Sequence, residues 1–158
     1  MNTVIIIFLV ILVLFGGIIF YQFSNAAKPK SQLTIANHTF AVEVATSSAE
    51  QQKGLSGREK LPDDQGMLFV FKKADKYPFW MEKMKFPLDI IYIKDNKIVS
   101  ITHSAAILKK GDNNPPIYLS DEPFTQAVEI NSGLAKKYGF KKNDAVTIKF
   151  EDKLKKAL

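Results

Sequence analysis

The chain has no cysteine, so a disulfide framework and thiolate chemistry are both excluded, while either side of a membrane stays open to it. Histidine is scarce too. His38 and His103 are the only two, and neither has a Ser or Asp partner at a diagnostic spacing. With no G-x-S-x-G elbow either, nucleophilic hydrolysis has no support. Gly54, Gly57 and Gly66 build no phosphate loop, because no G-x-x-x-x-G-K-[ST] or G-x-G-x-x-G run accompanies them. No nucleic-acid-binding motif or aromatic-basic RNA signature is present, so nucleic acid is not an expected partner.

The first 27 residues lack charge altogether, and the net charge of +6 is carried from Lys28 onward. Residues 4–23 are almost wholly apolar, and about 20 residues at about 1.5 Å each span a hydrocarbon core about 30 Å thick. The expectation is therefore one N-terminal transmembrane helix within residues 1–27, acting as an anchor or uncleaved signal, and a linker at 28–32. The alternative is secretion after cleavage near Ala26, since Ser24 and Ala26 occupy small-residue positions of the kind signal peptidase prefers. Lys28 and Lys30 follow the helix, which by the positive-inside rule would hold the domain in the cytoplasm. About 130 residues remain, the size of one domain. The expected domain is 33–151, followed by a Lys-rich tail at 152–158.

Within it, "LTIANHTFAVEVA" alternates about Asn37 and His38 as a hairpin, with Phe40, Val42 and Val44 on one face. Ser47 and Glu50 have capping-box spacing, predicting a helix over 48–53 that stops at Gly54. Short apolar runs at 67–71, 79–81 and 89–93 read as buried strands. "KDNK" at 94–97 is turn chemistry before the returning strand "IVSITHSA". "GDNNPP" at 111–116 reads as an exposed loop. "QAVEI" is a strand, "NSGLAKKYG" a short helix capped by Asn131 or Ser132 and closed by Gly139, and "AVTIKF" the last long strand. Many short strands with short helices predict a mainly β (α+β) fold, a small β-barrel-like domain.

Three ordered blocks, "GLSGREKLPDDQGMLFVF", "FWMEKMKFPLDIIYI" and "AVEINSGLAKKYGFKKNDAVTI", together resemble the family called domain of unknown function 192. The resemblance spans nearly all of residues 33–150. It implies a compact, mainly β fold, often exported or placed behind an N-terminal membrane segment, with no established activity. It therefore favours an extracytoplasmic domain over the cytoplasmic vote of the two lysines. The middle block departs from the family's commoner Trp-Met-Lys-Asn-Thr, because Glu82, Lys83 and Met84 follow Met81 here.

The middle block poses the functional question. Trp80 offers a flat apolar face and one N–H donor, with Arg58 and Asp89 to orient a ligand and Met81 beside them. The competing reading is that Trp80, Phe79, Met67, Phe69 and Phe71 fill the core. An ionised Asp89 inside "FPLDIIYI" needs a partner, either Arg58 or a pair of backbone N–H groups, and would then act as a structural pin. As a catalytic acid or base, Asp89 would need Glu82 or Glu129 as a second carboxyl. Met67, Met81 and Met84 with His38 and His103 offer soft donors for Cu(I), but Met81 and Met84 reach one ion only where the chain is helical or tightly turned. No metal site or cofactor is assigned. Lys136, Lys137, Lys141, Lys142, Lys153, Lys155 and Lys156 could meet a cell-envelope component or another anionic surface. The reading is a membrane-anchored, noncatalytic ligand- or partner-binding module built on Arg58, Trp80, Met81 and Asp89. Its alternatives are a carboxylate-dependent hydrolase or lyase, and an extracytoplasmic copper-binding protein.

Overall fold

The structure, a computed structural model, describes residues 31–108 and 115–155. The expected anchor lies outside those residues, as do most of the linker, most of the loop at 111–116 and the last three tail residues. Among the described residues no helix is long and apolar enough to cross a membrane.

The chain opens with a hairpin of β1 (Ser31–Ile35) and β2 (His38–Ala45). Its turn falls on Ala36 and Asn37, one residue earlier than the alternation predicts, with Ala36 at φ 50°. His38 instead opens β2 and stacks on Tyr138 with 3.8 Å between ring centroids. Helix α1 (Ser48–Lys53) leads to β3 (Gln65–Asp75), which pairs with β2 in parallel as a β-α-β unit. The short β4 (Phe79–Trp80) precedes β5 (Leu88–Lys94) and β6 (Lys97–Ala105), joined by a tight turn in which Asp95 and Asn96 both take positive φ. Then come β7 (Ile117–Tyr118), β8 (Phe124–Asn131), α2 (Leu134–Lys137), β9 (Val146–Lys149) and α3 (Asp152–Lys155).

The main sheet runs β6-β5-β8-β3-β2-β1-β9, and β4 pairs separately with β7. Its two edges approach at one end, where Ile98 N–H donates to Asp144 O at 3.0 Å and Val146 N–H donates to Asn96 O at 2.8 Å. The sheet thus curls into a half-barrel with short helices, the mainly β architecture that the strand pattern predicts. Curling also limits how much of the edge strands is left open to pairing with other chains.

Both faces of this sheet are apolar, and the period-2 pattern of the strands explains how. Leu33, Phe40, Leu68, Ile91, Val128 and Ile130 pack inside the curl with Leu134 and Phe140. On the outer face Met67, Phe69, Ile90, Tyr92 and Ala127 pack beneath Leu55, Phe79 and Phe124. Strand β5 serves both layers, so "LDIIYI" is buried without a break and shows no alternation in the sequence.

Helix α1 starts as its capping box predicts. Ser47 Oγ accepts from Glu50 N–H at 3.3 Å, and Ser47 N–H donates back to Glu50 Oε2 at 2.9 Å. The bond from the Ser47 backbone is the main reason the Glu50 carboxyl sits below its ordinary value. Replacing Ser47 with Ala should lower the unfolding free energy by about 1 kcal/mol in urea titration, since one helical N–H loses its acceptor. No measurable change would show that the helix is held by its packing alone.

Helix α2 differs from expectation. Its N-cap is Gly133 at φ 87°, which has no side chain to cap with. Asn131 and Ser132 are committed elsewhere: Asn131 Nδ2 donates to Leu61 O and Asp63 Oδ1, each at 2.7 Å, and Ser132 Oγ bonds Ser104 Oγ at 2.8 Å. The missing cap comes from another strand. Ala135 N–H donates to Asp89 Oδ2 at 2.9 Å.

Candidate functional site

Strand register places one row of side chains across the outer face. Glu43 of β2 lies beside Met67 of β3, Met67 beside Glu129 of β8, and Glu129 beside Ile90 of β5. A carboxyl in the middle of an apolar row is the anomaly in this layer. β8 runs between β3 and β5, so Glu129 has no route to solvent along the sheet. It is 6% exposed.

Above Glu129 opens a pocket of about 260 Å³. One wall is the C-terminal end of α1 and the loop after it, Lys53 to Ser56; the other is Tyr77, Phe79 and Trp80, with Phe69, Phe71 and Met84 between them. Two bonds hold the walls in register: Ser56 Oγ donates to Glu82 O at 2.8 Å and Gly57 N–H donates to Lys83 O at 3.0 Å. Lys85 pairs with Glu59 across the same junction. Gln51 Nε2 donates to Val70 O at 2.8 Å, tying α1 to β3. Gly54 closes α1 at φ 47°, a conformation that disfavours side chains, and a Cβ there would stand 3.8 Å from Glu129 Oε2. The chain passes over the carboxyl at its least bulky residue. Gly66 is just as specific on the other side, since a Cβ there would come within 2.7 Å of Glu129 O.

The aromatic residues are ordered by one another. Phe71 and Tyr77 stack at 3.9 Å, Phe69 and Phe79 meet edge-to-face at 5.1 Å, and Phe124 packs on Phe71, Phe79 and Tyr92. Trp80 is different: it has no ring partner among the described residues and is 38% exposed.

Glu129 Oε2 is the one buried side-chain oxygen or nitrogen without a hydrogen-bond partner among the described residues. Burial pushes the Glu129 carboxyl up to about 8, against a smaller pull from the Arg58 charge. Arg58 cannot neutralise it fully, because its two terminal nitrogens are engaged by Glu43 at 2.8 and 2.7 Å. That bidentate pair is also the main cause of the raised value of the Arg58 guanidinium.

Residues 31–148 match the family DUF192, described as an uncharacterized ACR. That span covers the curled sheet except for the last residue of β9. The chain belongs to the DUF192 family. Among solved structures it is similar to a protein of unknown function from Novosphingobium aromaticivorans, at 34% identity and a TM-score of 0.67 over 73% of this chain and 83% of that one. It is also similar to a protein from Sinorhizobium meliloti described as a candidate transcription regulator, at 29% identity and a TM-score of 0.66 over 75% of this chain and 91% of that one. No match is found among the curated proteins.

Within this DUF192 chain the residues singled out from the sequence part company. Trp80 lines the pocket; Arg58, Met81 and Asp89 do not. Met81 is fully buried in the outer core. Asp89 points to the other face of the sheet, because its neighbour Ile90 is the residue that pairs with Glu129. There Asp89 accepts from two backbone N–H groups, Ser104 at 2.8 Å and Ala135 at 2.9 Å. Of the two partners the sequence offered it, the backbone pair is the one observed. Glu82 is exposed outside the pocket. The chain does turn tightly between Met81 and Met84, where Met84 N–H donates to Met81 O at 3.3 Å, but Met84 lines the pocket and Met81 lies in the core. Phe71, Tyr77 and Phe79 join Trp80 in the pocket without having been expected as site residues. Glu129 appeared in the sequence only as a second carboxyl, although "QAVEI" carries a signal: an acidic residue on a strand otherwise read as buried.

Proposed function

We propose that this chain is a membrane-anchored, noncatalytic binding module whose ligand enters the aromatic pocket over Glu129. The carrying observation is a pocket with aromatic walls, an unstacked Trp80 at its edge and a buried carboxyl oxygen that lacks a partner. Sites for small ligands are usually of this kind, mostly apolar with a few placed polar groups. The reading favours binding over the hydrolase or lyase alternative because the pocket lining has a single carboxyl, Glu129. Asp89 faces the opposite side of the sheet and has both oxygens occupied. The copper alternative gains nothing, since Met81 and Met84 go to different places and His38 stacks on Tyr138.

The anchor is proposed from the 27 uncharged residues at the N-terminus, and an extracytoplasmic place for the domain goes with it. Lys136, Lys137, Lys141, Lys153 and Lys155 are exposed and would meet an anionic envelope surface near the membrane.

Trp80 is the only Trp of the chain, so its fluorescence reports on the pocket directly. The test is a thermal-shift screen of the full-length chain in mild detergent against sugars, aromatic acids and alcohols, envelope fragments and nucleotides, with Trp80 emission read in parallel. A ligand at 100 times its dissociation constant stabilises by about 2.7 kcal/mol. Trp80→Ala should weaken such a ligand about tenfold or more, the scale of one lost stacking contact. The reading is sunk if every compound that raises the melting temperature leaves Trp80 emission unchanged, or if none raises it.

A further inference from the structure

The chemistry of the pocket narrows the class of ligand. We propose that it takes a small organic amine bearing a flat apolar group, with the ammonium donating to Glu129 Oε2 and the flat group lying on Trp80. This inference rests on the pocket being a ligand site.

Three observations converge on an amine. First, Glu129 Oε2 is buried and unpartnered, so the ligand group that meets the ionised carboxylate must be a donor. Second, the cation whose charge acts on Glu129 is already committed: Arg58 is held by both oxygens of Glu43, leaving Glu129 Oε2 without a hydrogen-bonded partner among the described residues. A ligand carboxylate or phosphate would instead meet a carboxyl. Third, five aromatic rings line the pocket, Phe69, Phe71, Tyr77, Phe79 and Trp80, and the face of such a ring attracts a cation through its quadrupole. The thioether of Met84 adds to this apolar side of the pocket, opposite the polar Gln51, Gln52, Lys53 and Ser56. A volume of about 260 Å³ accommodates one small ring and a short chain.

The charges facing the site set its pH response. Glu43 on β2 and Arg58 in the loop after α1 cancel one another. Lys53 at the end of α1 is exposed at the rim. Glu50 is held in its capping box, Tyr77 donates to Lys73 O, and burial keeps the Tyr92 phenol on β5 up at about 12. Glu129 is thus the group near the pocket that titrates between pH 6 and 9. An ammonium binds its ionised form, so below pH 8 binding releases a proton into solution.

The probes are phenethylamine and its neutral counterpart 2-phenylethanol, titrated into the full-length protein in mild detergent with Trp80 emission as the signal. At pH 8.5 the amine should bind at least about tenfold more tightly than the alcohol, the scale of one desolvated cation–π or charge-assisted contact. Between pH 6 and 7 the amine affinity should rise by about tenfold per pH unit and level off above pH 8, while the alcohol affinity falls or stays constant. Calorimetry of the amine at pH 7 in two buffers of different ionisation enthalpy should reveal the released proton. Glu129→Gln, which keeps the shape of the side chain, should erase both the amine preference and the proton release while retaining the alcohol. Equal affinities for the two probes, or an amine preference that survives Glu129→Gln, overturn the amine assignment and leave the pocket reading standing. If neither probe binds, the amine assignment also falls, and the wider screen on Trp80 decides separately whether the pocket is a site.

Discussion

Raising the pH from 5 to 8 is expected to destabilise the fold through Glu129, and Glu129→Gln is expected to remove that dependence. The carboxyl has an ordinary value of 4.5 when exposed in the unfolded chain and is pushed up to about 8 by burial in the native state. Between those values the unfolded chain has released the proton and the native protein still holds it. The native state therefore binds more protons, and stability falls as pH rises, by about 1.4 kcal/mol per pH unit. The favourable contribution is fully present below pH 4.5 and is lost as pH rises through 8. Across the interval from 5 to 8 the loss is on the order of 3 kcal/mol. Every other ionisable group is common to both proteins, so the wild-type minus variant difference isolates Glu129. Urea unfolding at pH 5, 6.5 and 8 should find the two proteins closest at pH 5 and Glu129→Gln the more stable at pH 8. Parallel pH profiles would mean that Glu129 ionises freely, and the picture of a desolvated carboxyl under the pocket would be wrong.

The features most legible in the sequence were those set by local chemistry. The capping box of Ser47 and Glu50 placed α1 to the residue, and "KDNK" marked a turn whose central residues both take positive φ. Alternation put Phe40, Val42 and Val44 on one face, and all three contribute to the inner core. The departures arose where a distant partner overrode a local signal. Asn131 and Ser132 look like caps for α2, but Leu61, Asp63 and Ser104 claim their side chains, leaving Gly133 at the N-cap. The parallel pairing of β2 with β3 and the approach of β6 to β9 leave no trace in short-range periodicity, because both are long-range contacts.

The site was less legible than the fold for a related reason. Asp89 and Glu129 look alike in the sequence, since each is one acid within a run of apolar residues. Register separates them: Glu129 pairs with Ile90, the neighbour of Asp89, so the two carboxyls leave the sheet on opposite faces. One is fully bonded to backbone and one is not. In a strand buried on both faces, periodicity cannot report which face an acid takes. That distinction gives Asp89 a structural role and leaves Glu129 as the proposed ligand contact.

Asp89→Ala should then be among the most damaging single substitutions in the molecule. Asp89 is completely buried and its two oxygens close two separate structural elements. Oδ1 accepts from Ser104, whose φ of 52° marks the irregular stretch where the pairing of β5 with β6 shifts register. Oδ2 accepts from Ala135, in the first turn of a helix whose own N-cap is a glycine. Truncation leaves two backbone donors unsatisfied in the interior at about 1–3 kcal/mol each, plus a cavity, for a loss of about 3–5 kcal/mol. Asp89→Asn keeps the shape but can accept only one of the two bonds, and its NH₂ group faces the other donor, so it should fall between wild type and Asp89→Ala. Urea midpoints at constant m-value would measure both. Where folded, Asp89→Asn should leave ligand affinity at Trp80 unchanged, because the substitution lies on the far side of the sheet. Losses below about 0.5 kcal/mol in both variants would remove Asp89 as a structural pin. A stable Asp89→Asn protein that had lost the Trp80 signal would return Asp89 to the site.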